Sequence, residues 1–229
     1  MIRSTRKFSA ALLFALSLFA TAAQAGPPLI CHAFDIGTAK SLPWVSHDWN
    51  LTGNESYNSN SLVTDTIAIL DADPTVLVHM ETLRRATLYA RANPLAAKQL
   101  LLKLIARADS SVNSPAAALA SFDLGYLAET YKEWLGNDQS NPAQGLDGYA
   151  LIKKAIQLRP NDPQMEFAAA LITLNRPSSD QQQHAQKAIA GAKNDPLLAR
   201  NLATHFRGPQ TELMSDMISA NSNVKVARQ

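Results

Sequence analysis

A short pattern that returns at a fixed interval limits what this chain can fold into. Lys154-Ala155-Ile156 leads to Asn161-Asp162-Pro163, and Lys187-Ala188-Ile189 leads to Asn194-Asp195-Pro196, each element 33 residues after its counterpart. The 18-residue windows that begin at Lys154 and Lys187 agree at seven positions. A period of this size belongs to supersecondary units that cannot bury an apolar face alone and do so by stacking on their neighbours. A weaker turn at Asn93-Pro94 lies 68 residues before Asn161, which is two more units of nearly the same length.

The repeating unit is helical. Residues 73–219 are rich in Ala, Leu, Lys and Gln, and the alternation of Val, Ile and Thr with polar residues that marks strands is scarce. Pro74, Pro94, Pro115, Pro163 and Pro196 follow Asp73, Asn93, Ser114, Asp162 and Asp195. That pairing sets an N-cap oxygen before a proline at the first helical position, where the missing N–H has no intrahelical partner to lose, and it predicts five helix starts. Val76, Met80, Leu83 and Thr87 form one helical stripe, and Ala120, Leu124, Leu127, Tyr131 and Trp134 form another. Leu95, Leu101, Leu102, Leu104 and Ile105 cover more than one face, which predicts a helix packed on several sides. Further helices are expected at residues 148–158, 164–174, 179–192, 197–206 and 212–220, with a short first helix at 62–70 capping the stack. Short connections between them make the expected fold all-α, an antiparallel array of αα-hairpins.

Ala155-Ile156, Leu158 and Pro160, followed by Asn161-Asp162-Pro163, resemble the end of one tetratricopeptide repeat and the entry to the next. Upstream, Leu124-Gly125 resembles the Leu-Gly pair of that family's first helix, so residues 118–160 form one unit carrying an insertion. Small residues such as Gly125, Ala155 and Ala188 let helices approach closely, and proline after a second helix ends it. The resemblance spans roughly residues 115–206. It departs from the family at three points: no large aromatic at the early first-helix position, Lys193 in place of proline, and a long loop over residues 136–147. It implies a right-handed superhelix whose first helices line a concave groove for a protein or peptide. The matching positions are Leu119, Phe122, Tyr126 and Glu129; Gln164, Phe167 and Leu171; Leu197, Arg200, Thr204 and Arg207. Among these, Phe122, Tyr126, Glu129, Phe167, Arg200 and Arg207 are the candidate partner-binding residues, since aromatic and Arg side chains anchor interfaces. The competing assignment makes Phe122 and Phe167 core residues.

The first residues read as an address. Arg3, Arg6 and Lys7 precede an apolar, small-residue run over 8–23, and Ala23-Gln24-Ala25 is an A-x-A site, which predicts a signal peptide cleaved after Ala25 and a periplasmic or secreted chain. No later stretch approaches the run of about 20 apolar residues that a membrane span needs. Without the three basic residues of 1–25, 18 basic residues stand against 19 acidic ones. That balance lacks the basic footprint of a nucleic-acid binder. The single cysteine forms no internal disulfide, so the fold depends on its core.

Residues 26–61 form an irregular arm, expected to pack across the first helices with Trp44 and Trp49 as plugs; 62–220 is the helical domain and 221–229 a tail. Within the arm Cys31, His32, Asp35, His47 and Asp48 lie close in sequence, and sulfur with imidazole suits zinc or copper. That supports a second reading, a metal site or active site where the 31–48 segment meets the helical body. Against it, neither C-x-x-C nor H-E-x-x-H occurs. His79, His184 and His205 read as isolated packed or surface residues, and Asp71 and Asp73 as a cap and turn. The familiar hydrolase and nucleotide-binding motifs do not occur. The first expectation is therefore an exported adaptor with no cofactor, no metal and no catalytic residue.

Overall fold

The computed structural model describes residues 28–45, 51, 53–136, 140–174 and 179–206. The expected signal peptide, the helix at 212–220, the tail, His47, Asp48, Trp49 and Arg207 lie outside them. The described chain is all-α. Its helices are α1 (Leu62–Ala72), α2 (Val76–Ala90), α3 (Pro94–Ser110), α4 (Ala117–Leu135), α5 (Gly148–Leu158), α6 (Pro163–Ile172), α7 (Ser179–Ala192) and α8 (Pro196–His205), with a 3-10 turn at Ser59–Ser61 and, among the described residues, no strand.

Local chemistry accounts for the helix starts. Asn93, Asp162 and Asp195 accept backbone N–H groups of Ala96, of Gln164 and Met165, and of Leu198, with proline at the first helical position each time. These bonds supply partners for donors that a helix start otherwise leaves open. Pro74 and Pro115 behave differently. Asp73 accepts the amide of Thr75 at 2.8 Å and Ser114 that of Ala116 at 3.2 Å, so each builds a turn and the helices begin two residues later than predicted, at Val76 and Ala117. The recurring Asn-Asp-Pro also links the two units in space: Gln164 Nε2 donates to the Asp195 carboxylate at 2.7 Å, and Gln164 Oε1 accepts the Leu77 amide at 3.0 Å. The two turns are not copies, since Asn161 adopts φ 65° whereas the Asn194 amide bonds the Gly191 carbonyl.

The core centres on α2 and α4. Every residue of α2 except Arg85 is buried, because α1, α3, α4 and α6 pack around it. α5 packs along α4, and α7 along α6. α3 corrects one expectation: Leu100, Leu101 and Leu104 are buried, but Leu95 and Leu102 are 66% and 53% exposed, so this helix covers the body with one face only.

Gly125 explains how closely α4 and α5 approach. A Cβ there would lie 2.7 Å from the Gly148 carbonyl oxygen and 2.9 Å from the Leu151 Cβ, and backbone cannot move aside as a flexible side chain can. Ala155 and Ala188 are fully buried at related closures. Gly125→Ala is expected to cost about 1–3 kcal/mol through overpacking, read as a lowered urea midpoint with unchanged slope. Unchanged stability would show that the α4–α5 contact is looser than described.

Candidate functional site

The irregular arm is the part of the chain that most resembles a bound molecule. Residues 28–45 form no helix or strand and lie against α2, α4, α6 and α8. Leu29, Ile30 and Leu42 are fully buried and Phe34 nearly so. Without a ladder of its own, the arm satisfies its backbone through side chains of the helices. The Leu29 amide donates to Glu133 Oε2 (2.9 Å), and the Phe34 amide to Glu81 Oε2 (3.0 Å). Asn201 holds Asp35 on both sides, accepting its amide and donating to its carbonyl, each at 2.8 Å. Arg84 Nη1 donates to the Ile30 carbonyl (3.0 Å), Arg85 Nη1 to that of Leu42 (2.5 Å) and the Tyr89 hydroxyl to that of Pro43 (2.5 Å).

Glu81 is the hub of this contact. Its fully buried carboxylate accepts from Arg84 Nε (2.8 Å) and Nη2 (3.0 Å), from Arg85 Nε (2.6 Å) and from the Phe34 amide. The same two guanidinium groups lie 5.2 Å and 6.0 Å from the Trp44 ring, whose edge meets Tyr89. Trp44 packs partly buried against the core, and Phe34 is a second, more deeply buried aromatic plug. It stacks flat on His205 at 4.6 Å and meets Tyr126 and Phe167 edge-on at 6.5 Å and 6.0 Å. Asp35 closes the block by accepting from Arg200 Nε at 2.7 Å. Burying the four large apolar side chains contributes about 6–12 kcal/mol. With the contact between the Ser41 and Thr82 hydroxyls (2.9 Å), nine hydrogen bonds add about 5–13 kcal/mol, and ordering the 11 residues of 29–35 and 41–44 costs about 11–22 kcal/mol. The two sides are of similar size.

Charge in this interface is constrained by burial. Glu133 is pushed up to about 7 by desolvation; the Leu29 amide opposes the shift and Glu129 adds to it. Burial also raises the Cys31 thiol, with Glu133 reinforcing and Arg84 opposing. Desolvation lowers the His205 imidazole to about 4, so it stays neutral, with Nδ1 donating to the Asn201 carbonyl.

The candidate residues fall on this contact in two groups. Phe122, Tyr126 and Phe167 are fully buried, with Phe122 stacked on Tyr126 at 5.6 Å, and Glu129 is buried in an ion pair with Lys132. Tyr126 and Phe167 meet Phe34 of the arm, Phe122 lies behind Tyr126, and Glu129 lies against Gly148 at the α4–α5 contact. Arg200 is the candidate that reaches solvent, its side chain 51% exposed, and Arg207 lies outside the described residues. Glu81, Arg84, Arg85, Glu133 and Asn201 were missed. The available signal was Glu81-x-x-Arg84-Arg85 within an apolar helix, a spacing that surface helices also use.

Two polar clusters lie elsewhere. His79 presents Nδ1 to Asp123 (2.5 Å) and Nε2 to the Asp73 carbonyl (2.6 Å), and Arg107 bridges Asp123 to Asp71. Glu166 pairs with His184 and Lys187 beside a cleft of about 410 Å³ lined by Ile156, Pro163 and Gly191, and the Tyr149 hydroxyl bonds His184 Nε2 at 2.8 Å. Both nitrogens of each imidazole are engaged within the protein. Among the described residues no group of three or more His, Cys, Asp or Glu side chains is placed to hold a metal ion, and the His32 ring faces His205 at 5.6 Å. No described helix is long and apolar enough to cross a membrane. The chain matches no protein-family model, no curated protein and no solved structure.

Proposed function

We propose that the chain is an exported, tetratricopeptide-like adaptor that holds a protein or peptide segment on the concave face of α2, α4, α6 and α8. The observation that carries this reading is that this face already holds an irregular segment, the arm, by bonding its backbone amides and carbonyls. Side chains that pair with backbone groups suit any extended ligand, while pockets between them choose its side chains. The repeat architecture draws support from the matched caps of α6 and α8 and from the packing of α3 on α4, α5 on α6 and α7 on α8. Export rests on the basic start, apolar run and A-x-A site of residues 1–25.

The test is selection of a displayed 12-residue peptide library on the mature chain, followed by amide-exchange mapping of the strongest binders. Protection on α2 and α8, with affinity reduced about ten-fold by Arg200→Ala, is the expected outcome. Binders that protect only the outward side of α3, or a library that yields none, would remove the adaptor reading.

A further inference from the structure

The arm meets the helices in two blocks, 29–35 and 41–44, joined by a stretch in which Gly37, Thr38 and Lys40 are exposed. Within the first block, recognition divides into two kinds. Glu133, Arg84, Glu81 and Asn201 bind backbone groups and would accept any extended chain. Selectivity comes from three places. Leu29 and Ile30 are fully buried, the Phe34 ring is enclosed by Tyr126, Phe167 and His205, and the Asp35 carboxylate is met by Arg200 at the exposed rim.

The fit is incomplete. Among the described residues the fully buried Tyr126 hydroxyl, next to Phe34, has no hydrogen-bond partner.

We propose that residues 29–35 act as an internal ligand of this face, and that the external partner is a segment of the same chemistry: two aliphatic residues, a spacer of three residues, then Phe followed by an acidic residue. This rests on the adaptor reading and adds to it the side chains the partner carries and the competitor it displaces. A tethered arm acts at an effective concentration in the millimolar range. The apparent affinity of a free partner is reduced by the fraction of molecules whose face is vacated.

The experiment uses the full mature chain and a fluorescein-labelled peptide of residues 28–37. Leu29→Ala with Phe34→Ala loosens the arm and leaves Glu81, Tyr126, Phe167 and Arg200 in place. The loosened chain should bind the peptide at least about ten-fold more tightly than wild type, and replacing the peptide's Phe with Ala should cost about ten-fold or more. Amide exchange on the wild-type chain provides a readout independent of the double variant's folding: Leu29, Phe34 and Asp35 should exchange through a local opening faster than the amides of α2. Exchange of those three amides only with global unfolding, or equal binding of the peptide by a folded loosened chain and wild type, would overturn the internal-ligand proposal. Library-selected peptides that still protect α2 and α8 but lack the Phe-acidic pair would overturn this proposal and leave the adaptor reading standing. Absence of any groove-binding peptide on either chain would remove both.

Discussion

Glu81→Ala is expected to lower the unfolding midpoint by about 6–20 °C. Removing the carboxylate leaves the Arg84 guanidinium, 2% exposed, with the Ile30 carbonyl as its remaining acceptor, and it also leaves the Phe34 amide unpaired. Stranding a buried charge in this way costs about 3–5 kcal/mol. A chain of this size shifts by about 2–4 °C for each kcal/mol. Glu81→Gln retains an acceptor oxygen and should fall between the two. Thermal melts followed by circular dichroism decide the matter: a shift below about 2 °C would mean that the arm and the two arginines are held by other contacts.

Asp123→Ala is expected to have an effect of similar size and carries a pH signature. Both nitrogens of His79 face oxygen acceptors, so both must donate and the ring is an imidazolium. Burial pulls its pKa down, but the charge and hydrogen bond of Asp123, with the Asp73 carbonyl, outweigh burial and the net shift is upward. The folded state therefore holds a proton that the unfolded chain releases above about 6.5. This stabilisation is complete below 6.5 and is lost as pH rises through the folded value. Glu133, raised to about 7, adds a loss of the same sign beginning at lower pH. His205 has the opposite sign, but its contribution changes between the ordinary 6.5 and about 4 and is constant above that window. Urea titrations of wild type should show stability falling from pH 6.5 to 8.5. Asp123→Ala should cost about 3–5 kcal/mol at pH 6 and show a flatter decline. Parallel pH profiles for the two proteins would refute the imidazolium assignment.

The helices were legible because their signals are local. Asn93, Asp162 and Asp195 satisfy backbone donors two or three residues ahead, so a cap residue and a proline specify a start without reference to the rest of the molecule. The boundaries of α5 and α7 coincide with those expected from periodicity alone. Where the same signal misplaced a start, at Pro74 and Pro115, a competing local bond had made a turn. The candidate site was legible only in part. Phe122, Tyr126, Phe167 and Arg200 came from the positions that the repeat resemblance implies, whereas Glu81, Arg84 and Glu133 were not singled out, since charges on a helix ordinarily face water. Their burial follows from a covering that the arm supplies.

The sequence by itself determined that the chain is helical, where most helices begin, and that Gly125 sits at a close crossing. Each of these depends on groups within a turn or two of one another. Only the tertiary structure decided that the arm lies across α2, α4, α6 and α8, with Phe34 as a plug. The bonds that place it join residues 104 and 166 positions apart, Leu29 to Glu133 and Asp35 to Asn201. An irregular segment has no period of its own, so its location is set by the helices that supply its missing hydrogen-bond partners, and those meet only after the body has folded.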